Sequence, residues 1–188
     1  MVPFFLMFEK RRPHAREVVM IAVLVVLAVI SRTIFFMIPF FKPMLAMVII
    51  SGIGLGPQCG LLVGTLSAFI SNFAFGQGPW TIWQMLAMGL CGLLAGLLFA
   101  GRYRLSMIYR IMASLYGLAA AVLIYGLIMD TYSAIAYTGK VSKELLITMY
   151  ISGLPVNLMH AASTLIFIWL LTPGIVKKLR RIKLKYDF

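Results

Sequence analysis

The residues best equipped for chemistry lie in one stretch, Phe69-Ile-Ser-Asn-Phe-Ala-Phe-Gly-Gln-Gly-Pro-Trp-Thr-Ile-Trp-Gln-Met85, a polar, aromatic and glycine-rich cassette between two apolar runs. Asn72, Gln77 and Gln84 carry amides, which make directional hydrogen bonds and are bad lipid neighbours. With Pro79 in a first helical turn, Trp80 and Gln84 share a helix face and Trp83 lies beside it. A flat aromatic wall with several amides suits a large, uncharged, polar ligand. Tryptophans so placed also serve as plain interfacial anchors. A second cluster, Asn157 and His160, is spaced three apart and shares a helix face. These two residues either bond neighbouring helices and a carbonyl freed by Pro155, or face a ligand cavity, where His160 donates to a ligand amide or approaches a metal centre.

Catalytic and phosphate-binding patterns are missing from the sequence. It contains no GxxxxGK[ST] loop, no HExxH and no spacing that suggests a Ser/His/Asp set. The acids Glu9, Glu17, Asp130, Glu144 and Asp187 all fall at or beyond the ends of apolar runs. An ion-coupled carrier places an ionisable group near the bilayer centre, and only His160 lies at such depth. Uphill transport by this chain therefore needs energy from a partner.

The elements that must position these residues follow from composition. Of 188 residues, 62% are hydrophobic and 12% charged, and the mean hydropathy is +1.00. This is the composition of an all-α integral membrane protein. At about 20 apolar residues per span there is room for roughly six spans in one domain and for no soluble catalytic domain. The net charge of +12 is no nucleic-acid footprint, because the charge sits at the ends of apolar runs. Lys10, Arg11, Arg12 and Arg16 precede the first run. Arg102, Arg104 and Arg110 fill one loop, and Lys177, Lys178, Arg180, Arg181, Lys183 and Lys185 close the chain. Only Arg32, Lys42, Lys140 and Lys143 fall on the other side, so thirteen against four puts both termini, the basic segment 1–16 and the basic tail 174–188 in the cytoplasm and the protein in the plasma membrane. The first run continues past Ile30 without a small-residue cleavage site and reads as a retained helix.

Apolar runs predict helices over 17–38, 44–55, 61–75, 82–100, 108–129 and 145–171. Turns fall at residues 39–43, at Gly56-Pro57-Gln58 and at Gly76-Gln77-Gly78-Pro79. The second run is short for a span. Gly52, Gly56, Gly60 and Gly64 recur every four residues, Gly92 and Gly96 repeat the spacing, and Ala87, Cys91 and Ala95 form another small row. These rows predict close helix packing, or a smooth face for sliding on another subunit. Cys59 and Cys91 read as small packing residues, with neither a disulfide nor a metal role.

Lys42-Pro43, then Gly-Ile-Gly-Leu-Gly-Pro-Gln-Cys-Gly (52–60), then Ser71-Asn72 running through Gly-Gln-Gly-Pro-Trp-Thr-Ile-Trp-Gln84 together resemble the substrate-binding S component of an energy-coupling factor (ECF) vitamin transporter, over nearly the whole chain. The Gly-Gln-Gly-Pro-Trp-Thr cassette is most similar to a cobalamin-type subgroup, some of whose members have been labelled queuosine-precursor transporters. The resemblance implies a six-helix subunit that binds its vitamin near the outer face, beneath the segments 32–43, 75–81 and 130–144. It implies as partners a transmembrane coupling subunit and two cytoplasmic ATPases that use the ATP, with cobalamin as the transported ligand and no permanently bound cofactor. Trp80, Trp83 and Tyr132 or Tyr137 are expected to close over the ligand. Arg32 and Phe75 border the site, and Asn72, Gln77, Gln84, Asn157 and His160 supply hydrogen bonds. The coupling-subunit contact falls on Ala15, Ala22 and Ala28, which lack the Ala-x-x-x-Ala spacing common in such proteins. A membrane-embedded enzyme using Asn157, His160 and Asp130, and an autonomous small-solute carrier, are the competing classes.

Overall fold

A computed structural model describes residues 15–101, 106–139 and 142–186. The sequence-stretch charges Lys10, Arg11, Arg12, Arg102, Arg104 and Lys140, and the acids Glu9 and Asp187, lie outside the described residues. The described chain is helical: α1 (Ala15–Ile34), α2 (Met44–Leu55), α3 (Pro57–Phe75), α4 (Trp80–Phe99), α5 (Met107–Ala119), a π-helical segment (Ala120–Gly126), α6 (Leu127–Thr138) and α7 (Lys143–Tyr186). The predicted breaks are present. Gly56 takes φ 111° between α2 and α3, with Pro57 opening α3, and Gly76 takes φ 103° at the end of α3. Such left-handed angles are cheap only for glycine.

The fifth predicted helix is a continuous rod made of α5, the π segment and α6. Like the sixth, it is longer than its apolar run suggests. Helix α7 extends for 44 residues, passes through Pro155 and Pro173, and carries the basic segment with it to Tyr186. Among the described residues, five helical stretches are long and apolar enough to cross a bilayer: Ala15–Ile34, Pro57–Phe75, Trp80–Phe99, Met107–Tyr137 and Lys143–Lys185. Helix α2 has 12 residues, about 18 Å at 1.5 Å per residue, against a hydrocarbon core of about 30 Å. It is the one shorter apolar helix among the described residues, and it is central. Every residue except Gly54 is buried, and α1, α3, α4 and α7 all pack against it. A helix apolar on all sides belongs inside protein. The outer helices instead present Val19, Val23, Val26 and Ile30 of α1 and Ile108, Met112 and Leu115 of α5 on the surface, as a membrane protein facing lipid requires.

Glycine sets the spacing of the inner layer. A methyl group at Gly52 or Gly60 would run into the backbone carbonyl of Gly92, and one at Gly64 into that of Met88; at Gly96 it would strike Pro57. Helices α2, α3 and α4 thus touch backbone to backbone, with Ala87, Cys91 and Ala95 fully buried beside the contact. This is the close packing predicted from the four-residue repeats, and both cysteines are buried within it without forming a disulfide. The side-chain volume of Gly60→Val would have to displace backbone, costing on the order of 2 kcal/mol or more. Gly60→Val is therefore expected to lower the thermal unfolding midpoint in detergent strongly. Gly174→Ala, where nothing lies within 4 Å, should leave the midpoint unchanged or slightly raised.

Candidate functional site

At the end of the bundle where α1 stops and α4 starts, the segment between α1 and α2 folds over a cavity of about 110 Å³. Its walls come from six elements of the chain. Arg32 projects from the end of α1, and Phe40 and Lys42 from the segment that follows. Met44 opens α2, Gln84 and Met88 lie on α4, Tyr125 on the π segment, and Val156, Asn157 and His160 on α7. The basic residues Arg16, Arg110 and Lys177 to Lys185 occupy the opposite ends of their helices.

Arg32 is held at the rim by α3. Its Nη1 donates to Ser71 Oγ at 2.6 Å and to Asn72 Oδ1 at 2.9 Å. The guanidinium also stacks 4.5 Å from the Phe75 ring centroid. Asn72, fully buried, passes the link on to α4: its Nδ2 donates to Gln84 Oε1 at 2.7 Å and to Thr81 Oγ1 at 3.0 Å. Thr81 in turn donates to Gln77 Oε1 at 2.9 Å, and Gln77 Nε2 donates to the Phe69 carbonyl at 3.0 Å. The cassette therefore ties its own amides together and fixes the α3–α4 junction, with Gln84 as its one member that lines the cavity.

On the far wall, His160 meets the Tyr125 ring edge-on with centroids 4.8 Å apart, and the backbone of Lys42 lies against its imidazole. Asn157 Nδ2 donates to Asp130 Oδ2 at 2.8 Å. Two glycines make room for this pair. A methyl at Gly126 would come within 2.7 Å of the Asn157 amide, and one at Gly153 within 2.5 Å of the Asp130 carboxylate. Lys42 lies outside the helices. Partial burial, and then the neighbouring positive charge of Arg32, hold its ammonium below the usual lysine range.

Of the residues expected from the sequence, Arg32, Gln84, Asn157 and His160 come together on the cavity wall. Asn72 and Phe75 support Arg32 from behind. Gln77 sits within the cassette network. Trp83 and Tyr132 meet each other, centroids 5.9 Å apart, joining α4 to α6. Trp80 is partly exposed with its ring over Gly78, and Tyr137 is largely exposed; neither lines the cavity. Ala15 and Ala22 are on the surface of α1, whereas Ala28 is fully buried inside the chain. The sequence reading named none of Phe40, Met44, Met88, Tyr125 and Val156 as site residues, and it placed Lys42 in the outer turn and in the family motif without giving it a part in the site. Nothing in an apolar run marks which face a π-helical turn will present.

The family model for the ECF-type riboflavin transporter S component matches residues 13–178. Neither the curated proteins nor the solved structures gave a match. The family match supports an ECF S component, a multi-pass membrane transport subunit that is not itself an enzyme, and does not extend to the cobalamin-type subgroup that the cassette resembles. Matched over nearly its whole length, and folded as a helical bundle with a cavity at one end, the chain belongs to the family of the ECF-type riboflavin transporter S component.

Proposed function

We propose that this chain is the vitamin-binding subunit of an ATP-driven ECF importer and that its ligand is a flavin or a flat heteroaromatic vitamin of similar size. The observation that carries this reading is the cavity itself. Donors and acceptors from four helices converge there on a small space between the apolar side chains of Met44 and Met88, with the Tyr125 ring as a flat wall. Binding sites for small molecules have this make-up, an apolar lining with a few placed polar groups. The family match names riboflavin, whose ring system is flat.

A cavity of about 110 Å³ is closed down relative to the roughly 300 Å³ or more that a drug-sized ligand occupies. Loading a flavin requires the cavity to widen, and the segment that carries Phe40 and Lys42 is the part of its wall outside the helices. A corrinoid, several times bulkier than a flavin, would demand a far wider opening, which favours the flavin over cobalamin. With basic ends in the cytoplasm, the cavity opens outward. ATP is then hydrolysed by partner subunits, because this sequence has no phosphate loop. Delivery inward needs a second state with weaker ligand affinity, since a ligand shifts an equilibrium only by its differential affinity.

Reconstitution with an ECF coupling module in liposomes, followed by radiolabelled riboflavin uptake with and without internal ATP, tests this function. ATP-dependent accumulation that excess cobalamin and queuosine precursors leave unchanged is the expected result. Uptake of labelled cobalamin or a deazapurine in place of riboflavin would keep the importer and replace the ligand. Accumulation without ATP would refute the importer itself.

Gln84→Ala and Asn157→Ala each remove a wall amide, worth about 0.5–1.5 kcal/mol for one neutral hydrogen bond, or about two- to tenfold in affinity. Both variants are expected to bind riboflavin more weakly in an equilibrium titration while co-purifying with the coupling subunit as the unmodified chain does. Unchanged affinity in both would exclude this cavity as the site.

A further inference from the structure

Among the described residues, the cavity is lined by two cations and no carboxylate. Arg32 spends Nη1 on two neutral acceptors, the Ser71 hydroxyl and the Asn72 carbonyl oxygen, and its Nε is buried without a hydrogen-bond partner. Lys42 lies across the same space and feels the Arg32 charge. Among the described residues, neither cation has an acid beside it. Glu17 is in the first turn of α1, at the other end of the bundle, and Glu144 is fully exposed at the start of α7. Asp130 is nearest to Tyr125 and Asn157, and its carboxylate is taken by the Asn157 amide against Gly153.

Two like charges brought together in a partly dehydrated space repel each other and lose hydration, so the empty site is electrostatically uncomfortable. An anion relieves both penalties at once, and a guanidinium with an unused edge is shaped for carboxylate or phosphate oxygens. A neutral vitamin would leave the charges unbalanced after burying them further. We propose that the transported ligand carries an anionic group, a carboxylate or a phosphate ester, that seats between the Arg32 guanidinium and the Lys42 ammonium. This inference rests on the cavity being the ligand site of the importer proposed above. It departs from the uncharged ligand that the cassette amides alone suggest, because those amides are largely spent on one another.

Riboflavin and flavin mononucleotide differ only by a phosphate, and titrating the purified full chain with each reads the charge directly. Flavin mononucleotide is expected to bind tenfold or more tighter, with a preference that shrinks as salt rises. Lys42→Gln and Arg32→Gln should bring it down to the level of riboflavin, and Lys42→Arg should retain the preference. Lys42 lies in a connecting segment, so Lys42→Gln tests the charge even where Arg32→Gln weakens folding. Equal affinity for the two flavins, or a preference that survives Lys42→Gln, would overturn the anion site while leaving the flavin importer standing. Binding of neither flavin would instead overturn the flavin reading. Inorganic phosphate then decides the anion site. A thermal midpoint raised by phosphate over chloride at equal ionic strength, in the unmodified chain but not in Lys42→Gln, supports it, and identical midpoints overturn it.

Discussion

Backbone contact through glycine is the constraint on which the rest of this structure depends. Lipid offers little hydrophobic drive between helices, so cohesion must come from close van der Waals approach. Gly52 and Gly60 against Gly92, Gly64 against Met88 and Gly96 against Pro57 provide it, holding α2, α3 and α4 at a separation that no side chain would permit. The short α2 is then enclosed by neighbours and becomes the core of the subunit. Because α3 and α4 are locked along their length, their ends are locked too. Asn72 can bridge Arg32 on α1 to Gln84 on α4 within ordinary hydrogen-bond distances.

That bridge changes the role of the cassette. A buried amide without partners costs about 1–3 kcal/mol, and the buried Asn72 avoids this cost by bonding Thr81 and Gln84, with Gln77 joined to the network through Thr81. The cassette is thus first a polar clamp across a helix break at Gly76. Through the clamp it positions Arg32, whose guanidinium is one of two cations on the cavity wall. The chemistry of the site therefore passes from the amides, which are mutually satisfied, to the two cations, which are not.

The opposite wall depends on irregularity in otherwise long helices. The π segment Ala120–Gly126 brings Tyr125 to the cavity and Gly126 to Asn157. Single π turns within α-helices recur at functional sites because the extra residue re-aims the side chains around it. Pro155 lies on the same stretch of α7 as Asn157 and His160. Helices that both stiffen the bundle and line a cavity gain from such local departures, since an ideal helix offers only one register of side chains.

Much of this protein was legible in its sequence. Hydropathy marked the apolar helices, and Gly56 and Gly76 marked two breaks that the structure places there. The four-residue glycine repeats announced close packing, and Arg32, Gln84, Asn157 and His160 were identified and do line one cavity. These features are local or periodic: each is a property of one residue type or of a fixed spacing, and a lipid environment leaves the backbone few alternatives. What the tertiary structure decided is who meets whom. That Asn72 spends its amide on Thr81 and Gln84, that Lys42 faces Arg32 across 110 Å³ of space, and that Tyr125 packs on His160 depend on helix rotation and depth. In runs that are apolar on every side, no periodicity fixes rotation. Packing fixes it instead, and with it the charge balance of the site.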